Sequence, residues 1–110
     1  MREIAEADWK VLRQLHTLAL DRYCQGVLSE VGRLAAVADQ SAHQRYLAVF
    51  AAIRERNCEI AETFDDLRRS TALLRLVSMR AKQLISDDEF SQFTAPTREA
   101  VDAILAVRSV

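Results

Sequence analysis

One long stripe of residues limits what this chain can fold into. From Tyr46 to Ile85 its members follow one another at steps of four and three residues without a slip, and nine of the twelve are apolar. Steps of this size place side chains on one face of an α-helix, so the stripe predicts helices that bury that face. The members are Tyr46, Phe50, Ile53, Asn57, Ile60, Phe64, Leu67, Thr71, Leu74, Ser78, Ala81 and Ile85.

Composition points to a single helical domain. The chain has 110 residues, of which 50% are hydrophobic and 28% are charged, both ordinary values for a globular domain. It contains only two Gly and one Pro, far below the usual ~7% and ~5%. We therefore expect residues 1–110 to form one all-α domain, a bundle of four to five helices with a long first helix.

Capping patterns mark where the helices begin. The first helix is expected from residues 5–8 to about residue 38, with Gly26 and Gly32 inside it allowing a bend or a close helix crossing. Ser41 with Gln44 forms a capping box for a second helix beginning at about Ala42. A third helix is expected to reach about residue 84.

Two short C-terminal helices complete the predicted bundle. The Ser86–Glu89 capping box opens a helix that carries Phe90 and Phe93 toward the core. Thr94 then caps a last helix with Pro96 in its first turn, where the missing N–H costs nothing.

The sequence leaves open whether the helix breaks at Asp65-Asp66. Either aspartate, or Ser70-Thr71 a turn later, can cap a new helix, whereas Arg69 has the spacing to pair with both aspartates in a continuous one. Forty residues of unbroken helix span ~60 Å, more than a compact domain of this size. A break therefore predicts a compact bundle, and continuity an elongated dimer.

The junction before the short helices has one local resemblance. The seven residues Leu84-Ile85-Ser86-Asp87-Asp88-Glu89-Phe90 resemble the turn between the two helices of the small bacterial SHOCT modules. Those modules are associated with oligomerisation, and the resemblance covers only this junction of the chain.

No catalytic constellation is visible in the sequence. The two histidines, His16 and His43, stand in no motif with Cys, Asp or Glu at a telling spacing, and Cys24 and Cys58 lack metal-ligand spacing. We predict two reduced thiols, no cofactor, no metal site and no enzymatic activity. The charged start and the short apolar runs predict neither a secretory signal nor a membrane span, and we expect a cytoplasmic, bacterial protein.

A basic segment supports an alternative function. Between Leu67 and Gln83 the chain carries four arginines and a lysine with no acid, in a chain of net charge −1. Such a segment can bind phosphates as an anion-binding or nucleic-acid-binding regulator, although pairing with Asp65, Asp66, Asp87 and Asp88 is the plainer interpretation and makes nucleic acid an unlikely partner. The candidate residues are Arg68, Arg69, Arg75 and Arg80.

The leading functional hypothesis is a non-catalytic helical interaction or adaptor protein. The apolar helix faces exceed what one small bundle buries, which predicts a homodimer. Asn57 lies on the stripe, where a buried Asn fixes the register of associating helices and an Asn at the rim only flanks the core. The candidate interface residues are Tyr46, Phe50, Ile53, Asn57, Ile60 and Phe64.

Overall fold

The chain is all-helical, as predicted. The computed structural model describes residues 3–108, and within them it contains five α-helices and no β-strand. As expected, the first helix is long and the last two are shorter. The helices are α1 (Glu6–Ala35), α2 (Ala42–Phe64), α3 (Ala72–Ala81), α4 (Asp87–Phe90) and α5 (Ala95–Arg108).

The predicted capping boxes are present. Ser41 Oγ accepts from the Gln44 backbone N–H while the Gln44 side chain accepts from the Ser41 N–H, and Ser86 with Glu89 repeats this arrangement at α4. These reciprocal bonds satisfy N–H groups that the first turn of a helix leaves free. The beginnings of α2 and α4 are therefore confirmed.

Helix α1 ends three residues earlier than predicted. Its last residue is Ala35, and the following N–H, that of Ala36, binds the Arg33 carbonyl in a tighter turn. The Arg45 guanidinium from the start of α2 donates to the Ala35 carbonyl at 2.8 Å. This long-range cap closes α1 onto α2, which local sequence pattern does not reveal.

The helix breaks at the two aspartates. Phe64 is the last residue of α2, and Asp66 has φ of 56°, which an α-helix cannot contain. Thr71 Oγ1 holds the connection by accepting from the Arg68 N–H and donating to the Asp66 carbonyl. Helix α3 begins directly after it.

The break shifts the buried face of the next helix. Helix α3 turns Ala72, Leu76, Val77 and Met79 into the core, all almost fully buried. By contrast, the stripe members Leu74 and Ala81 are exposed. The stripe therefore does not continue past Phe64 as one buried face. The loop changes which side of the following helix faces the core.

The core lies at one end of the molecule. It joins the first half of α1 to the last residue of α2 and to the segment from α3 to α5. Buried apolar residues there are Ile4, Leu12, Leu15, Ala19, Phe64, Ala72, Leu76, Val77, Met79, Leu84, Ile85, Phe90, Phe93 and Val101.

The α1–α2 hairpin projects beyond this core. Between residues 20 and 51 of the described chain no residue is buried. The molecule measures 52 × 30 × 25 Å with a radius of gyration of 16.7 Å, against about 13 Å for a compact domain of this size. A broken helix and an elongated shape thus occur together, because the hairpin of α1 and α2 projects from the core. The prediction that a break gives a compact bundle is therefore wrong, since it took account of α2 alone.

Candidate interaction surface

One side of the projecting hairpin is apolar and open to solvent. Leu28 of α1 is 69% exposed, and Tyr46, Phe50 and Ile53 of α2 are 65%, 51% and 42% exposed. Leu47, 47% exposed, lies at the edge of this group. We call these five residues the hairpin face. Single exposed apolar residues are ordinary, but a group of this size on one hairpin is not.

Helical geometry assigns these residues to one side of the hairpin. On the opposite side the two helices are joined by polar contacts, Tyr23 to Glu59 and Arg56 to Glu30. At about 100° per residue, Leu28 lies about 140° around α1 from Tyr23, and Phe50 lies about 180° around α2 from Glu59. The hairpin is therefore apolar on one side and polar on the other.

The predicted interface residues divide between surface and core. Tyr46, Phe50, Ile53 and Asn57 are exposed on α2. Ile60 is half-buried against the core, and Phe64 is buried within it. Phe64 also packs edge-on against the His16 ring, with 5.5 Å between ring centroids. The split follows from the position of the core, which covers only the last turns of α2.

Asn57 lies at the boundary between these two groups. It is exposed in the single chain, one turn beyond Ile53 toward the core. This position matches the interpretation in which Asn57 flanks the core rather than lying inside it. Any buried role for Asn57 would require a second molecule on the hairpin face.

The polar side of the hairpin holds a network of hydrogen bonds. The Tyr23 hydroxyl donates to Glu59 at 2.6 Å, the Arg56 guanidinium donates to Glu59, and Arg56 Nε lies 3.2 Å from Glu30 Oε1. Burial and the neighbouring Glu59 raise the pKa of Tyr23 to about 12, and the Tyr23 hydrogen bond lowers the pKa of Glu59. These groups stabilise the pairing of α1 with α2.

An open cleft of about 420 Å³ lies over this network. Its lining includes Arg22, Arg56 and Lys82 as cations and Glu30 and Glu59 as carboxylates. Arg22 forms a bidentate pair with Glu89, at 2.6 and 2.8 Å, and donates to the Leu84 carbonyl at 2.9 Å. Both arginines of the cleft are engaged within the chain, and the lining sets cations and carboxylates side by side rather than gathering charge of one sign.

The four candidate anion-binding arginines are also engaged within the chain. Arg68 pairs with Asp66, and Arg69 donates to Glu6 and to the Ile4 carbonyl. Arg75 donates to the Asp65 carbonyl. The fourth, Arg80, donates to Asp87 and to the Ile85 carbonyl and lies over the Phe90 ring. Two of the four predicted aspartate partners, Asp66 and Asp87, are thus used, and the arginines tie loops to helices rather than forming one patch.

Among residues 3–108, no described contact joins a histidine to a cysteine. The His16 Nε2 atom lies 2.9 Å from the Phe64 carbonyl at the end of α2, where it donates to an otherwise unpaired acceptor. His43 is exposed in the first turn of α2. Cys24 is half-buried and Cys58 is exposed, both as free thiols. Among residues 3–108, His, Cys, Asp and Glu nowhere gather in a group of three or more suited to a metal ion.

The share of α1 in the hairpin face has only a partial signal in the sequence. Cys24, Leu28, Val31 and Ala35 follow helical steps on α1, and none of them is charged. The candidate interface residues predicted from the stripe lie on α2 alone. Helical spacing does not show that Leu28 of α1 is exposed as well, because this depends on how much of α1 the rest of the described chain covers.

No helix within residues 3–108 combines the length and the apolar character needed to cross a bilayer. Comparisons of the chain with protein-family models, with curated proteins and with solved structures find no match.

Proposed function

We propose that the protein is a non-catalytic helical interaction protein of a bacterial cytoplasm, and that it acts through the hairpin face. The observation that carries this proposal is the exposure of five large apolar side chains on a hairpin that projects from the core. The two free thiols are in keeping with a reducing compartment.

The size of the hairpin face supports a role in binding. Aromatic side chains bury about 150–250 Å² each. With the three aliphatic side chains taken at the lower end of this range, the exposed fractions of the five residues correspond to on the order of 500 Å² of largely apolar surface. The largest apolar patch on a typical monomer is about 300–600 Å² and is often functional. Burying such a surface against a partner removes it from water at a gain of about 25 cal/mol per Å².

The shape of the face favours a helical partner. Two antiparallel helices leave a shallow groove between them, and Tyr46, Phe50 and Ile53 stand along its side at helical spacing. Helix ridges pack into grooves of this kind, and amphipathic helices are the usual occupants.

Capture of partners by tagged protein tests the proposal. The full chain and three variants would be incubated with an extract of the cells that make the protein, and bound proteins would be quantified by mass spectrometry. Leu28→Glu and Phe50→Glu place a charge on the hairpin face and should lose the captured proteins. Val107→Glu is the matched control, because Val107 is 76% exposed but lies near the end of α5.

The comparison between variants decides the outcome. Partners retained by the Val107→Glu control and lost by both face variants support the hairpin face as the binding surface. Equal capture by all four proteins would contradict it.

A further inference from the structure

We propose that the partner on the hairpin face is a second copy of this chain, so that two hairpins pack face to face as a four-helix arrangement. This inference rests on the proposed function, because it names the occupant of the same surface. It adds that the dimer uses α1 as well as α2, and that the core end of each molecule stays outside the contact.

The hairpin face supplies more than half of the area that each partner buries in a standard dimer interface. A standard interface buries about 800 Å² per partner, and the five exposed side chains supply on the order of 500 Å². Smaller or half-buried residues between and beside them extend the surface on both helices. They are Cys24, Val31, Ala35, Val49 and Asn57.

The absence of charge from the face suits self-association. A two-fold interface uses the same surface patch on both molecules. A patch with charges of one sign would therefore face charges of the same sign on the partner. Leu28, Tyr46, Phe50 and Ile53 carry no charge, and neither do the smaller residues that extend the face. An exposed acid, Asp21, lies two helical turns from Leu28 on the same side of α1, at the core end of the face. The nearby Arg54 lies at the rim, with its guanidinium 5.7 Å from the Phe50 ring centroid.

A two-fold arrangement also completes the structure of the hairpin. Each hairpin contributes two antiparallel helices with one exposed apolar face. Packing two hairpins face to face buries the apolar face of each. The result is the packing of a four-helix bundle, in which apolar faces of paired hairpins meet in a common core. The polar network around Glu59 remains on the outside of each hairpin.

Sedimentation velocity of the purified full chain tests the inference. We expect a dimer mass at tens of micromolar that changes little between low and high salt, because apolar contacts are not screened. Leu28→Glu and Phe50→Glu should each raise the dimer dissociation constant tenfold or more. Val107→Glu should leave it unchanged, and circular dichroism of each variant would show that the helices are retained.

The outcomes separate this inference from the proposed function. A monomer mass for the wild-type chain at ~100 µM would overturn self-association, and the capture experiment would still test the hairpin face. A dimer that persists in both face variants would overturn the assignment of the interface to the hairpin. Loss of the dimer in the face variants alone supports the inference. If Leu28→Glu fails to fold, Tyr46→Glu replaces it, since Tyr46 is 65% exposed.

Discussion

At the scale of single residues, Asp8 is a carboxylate buried at the core end of the molecule. It is 1% exposed, yet its carboxylate accepts from the Thr94 N–H, the Thr94 hydroxyl and the Thr97 hydroxyl at 2.6–2.7 Å. Burial would raise the pKa of Asp8, but these hydrogen bonds outweigh burial and the pKa lies below its usual value. Asp8 thereby joins the start of α1 to the start of α5.

Replacing Asp8 should therefore destabilise the protein. Asp8→Ala leaves three donors without their acceptor and should cost about 3 kcal/mol in unfolding free energy. Asp8→Asn should cost only about 1 kcal/mol, because both threonine hydroxyls can turn to accept from the new amide. Urea unfolding at neutral pH measures both, and equal costs for the two variants would contradict this explanation.

The lowered pKa of Glu89 predicts how the unfolding free energy changes with pH. Hydrogen bonds from Arg22 and from Ser86 lower its pKa from 4.5 to about 2. Because the pKa of Glu89 is lower in the folded than in the unfolded state, its ionised form stabilises the folded state at pH values above about 4.5. This contribution is lost as the pH falls from about 4.5 to about 2. Glu89→Gln should therefore cost about 1 kcal/mol at pH 7 and progressively less below pH 4.5.

Unfolding by urea at several pH values checks the Glu89 prediction. Asp88→Asn is the control, because Asp88 is an exposed acid on the same short helix. A cost for Glu89→Gln that stays constant down to pH 2 would show that the ion pair with Arg22 is not its source.

Asn57 provides a test at the end of the hairpin face. Because Asn57 is exposed in the single chain, Asn57→Leu should change the unfolding free energy of the monomer by no more than about 0.5 kcal/mol. It should also strengthen self-association, since it lengthens the apolar surface. Urea unfolding of the protein at low concentration measures the first effect, and sedimentation measures the second. A loss of more than about 2 kcal/mol in unfolding free energy would indicate that the Asn57 amide is needed inside the fold.

At the scale of the elements, local signals determined what could be predicted. The Ser41 and Ser86 capping boxes gave the beginnings of α2 and α4, because each box is closed by residues three apart in sequence. The end of α1 depends instead on Arg45, ten residues away, and the buried face of α3 depends on the loop at Asp66. Both were missed because their causes are not visible in a helical repeat.

The two glycines of α1 yield a prediction for that helix. Within residues 3–108, no atom outside the neighbouring helix backbone would lie within 4 Å of a Cβ added at Gly26 or Gly32, so the close helix crossing that these glycines allow is not present there. Gly26→Ala and Gly32→Ala should therefore each stabilise the protein by about 0.5–1 kcal/mol, through helix propensity. Thermal unfolding at low protein concentration measures this, and a loss of stability would reveal a contact that the single chain does not show.

At the scale of the whole molecule, the hairpin face exists because the apolar residues are divided between a buried core at one end and an exposed hairpin at the other. The sequence contains enough of them to predict an excess over one small core, and hence a homodimer. The stripe predicts this excess along α2 from Tyr46 to Phe64, whereas the core takes Phe64 and a further exposed residue, Leu28, comes from α1. Which part of a helix lies outside the core depends on where α3 to α5 pack, and these long-range contacts are not encoded in the spacing.

The same division predicts uneven protection of backbone amides against hydrogen exchange. Amides at the hairpin tip, around residues 28–50, lack buried side chains and should exchange through local opening. Those around Leu12, Leu76 and Met79, all fully buried, should exchange only through global unfolding. If the hairpins pair, protection at the tip should rise with concentration in the wild-type chain but not in Leu28→Glu, while protection in the core stays constant. Tip amides that are as slow as core amides in the dilute monomer would mean that α1 and α2 are held together by more than the contacts described.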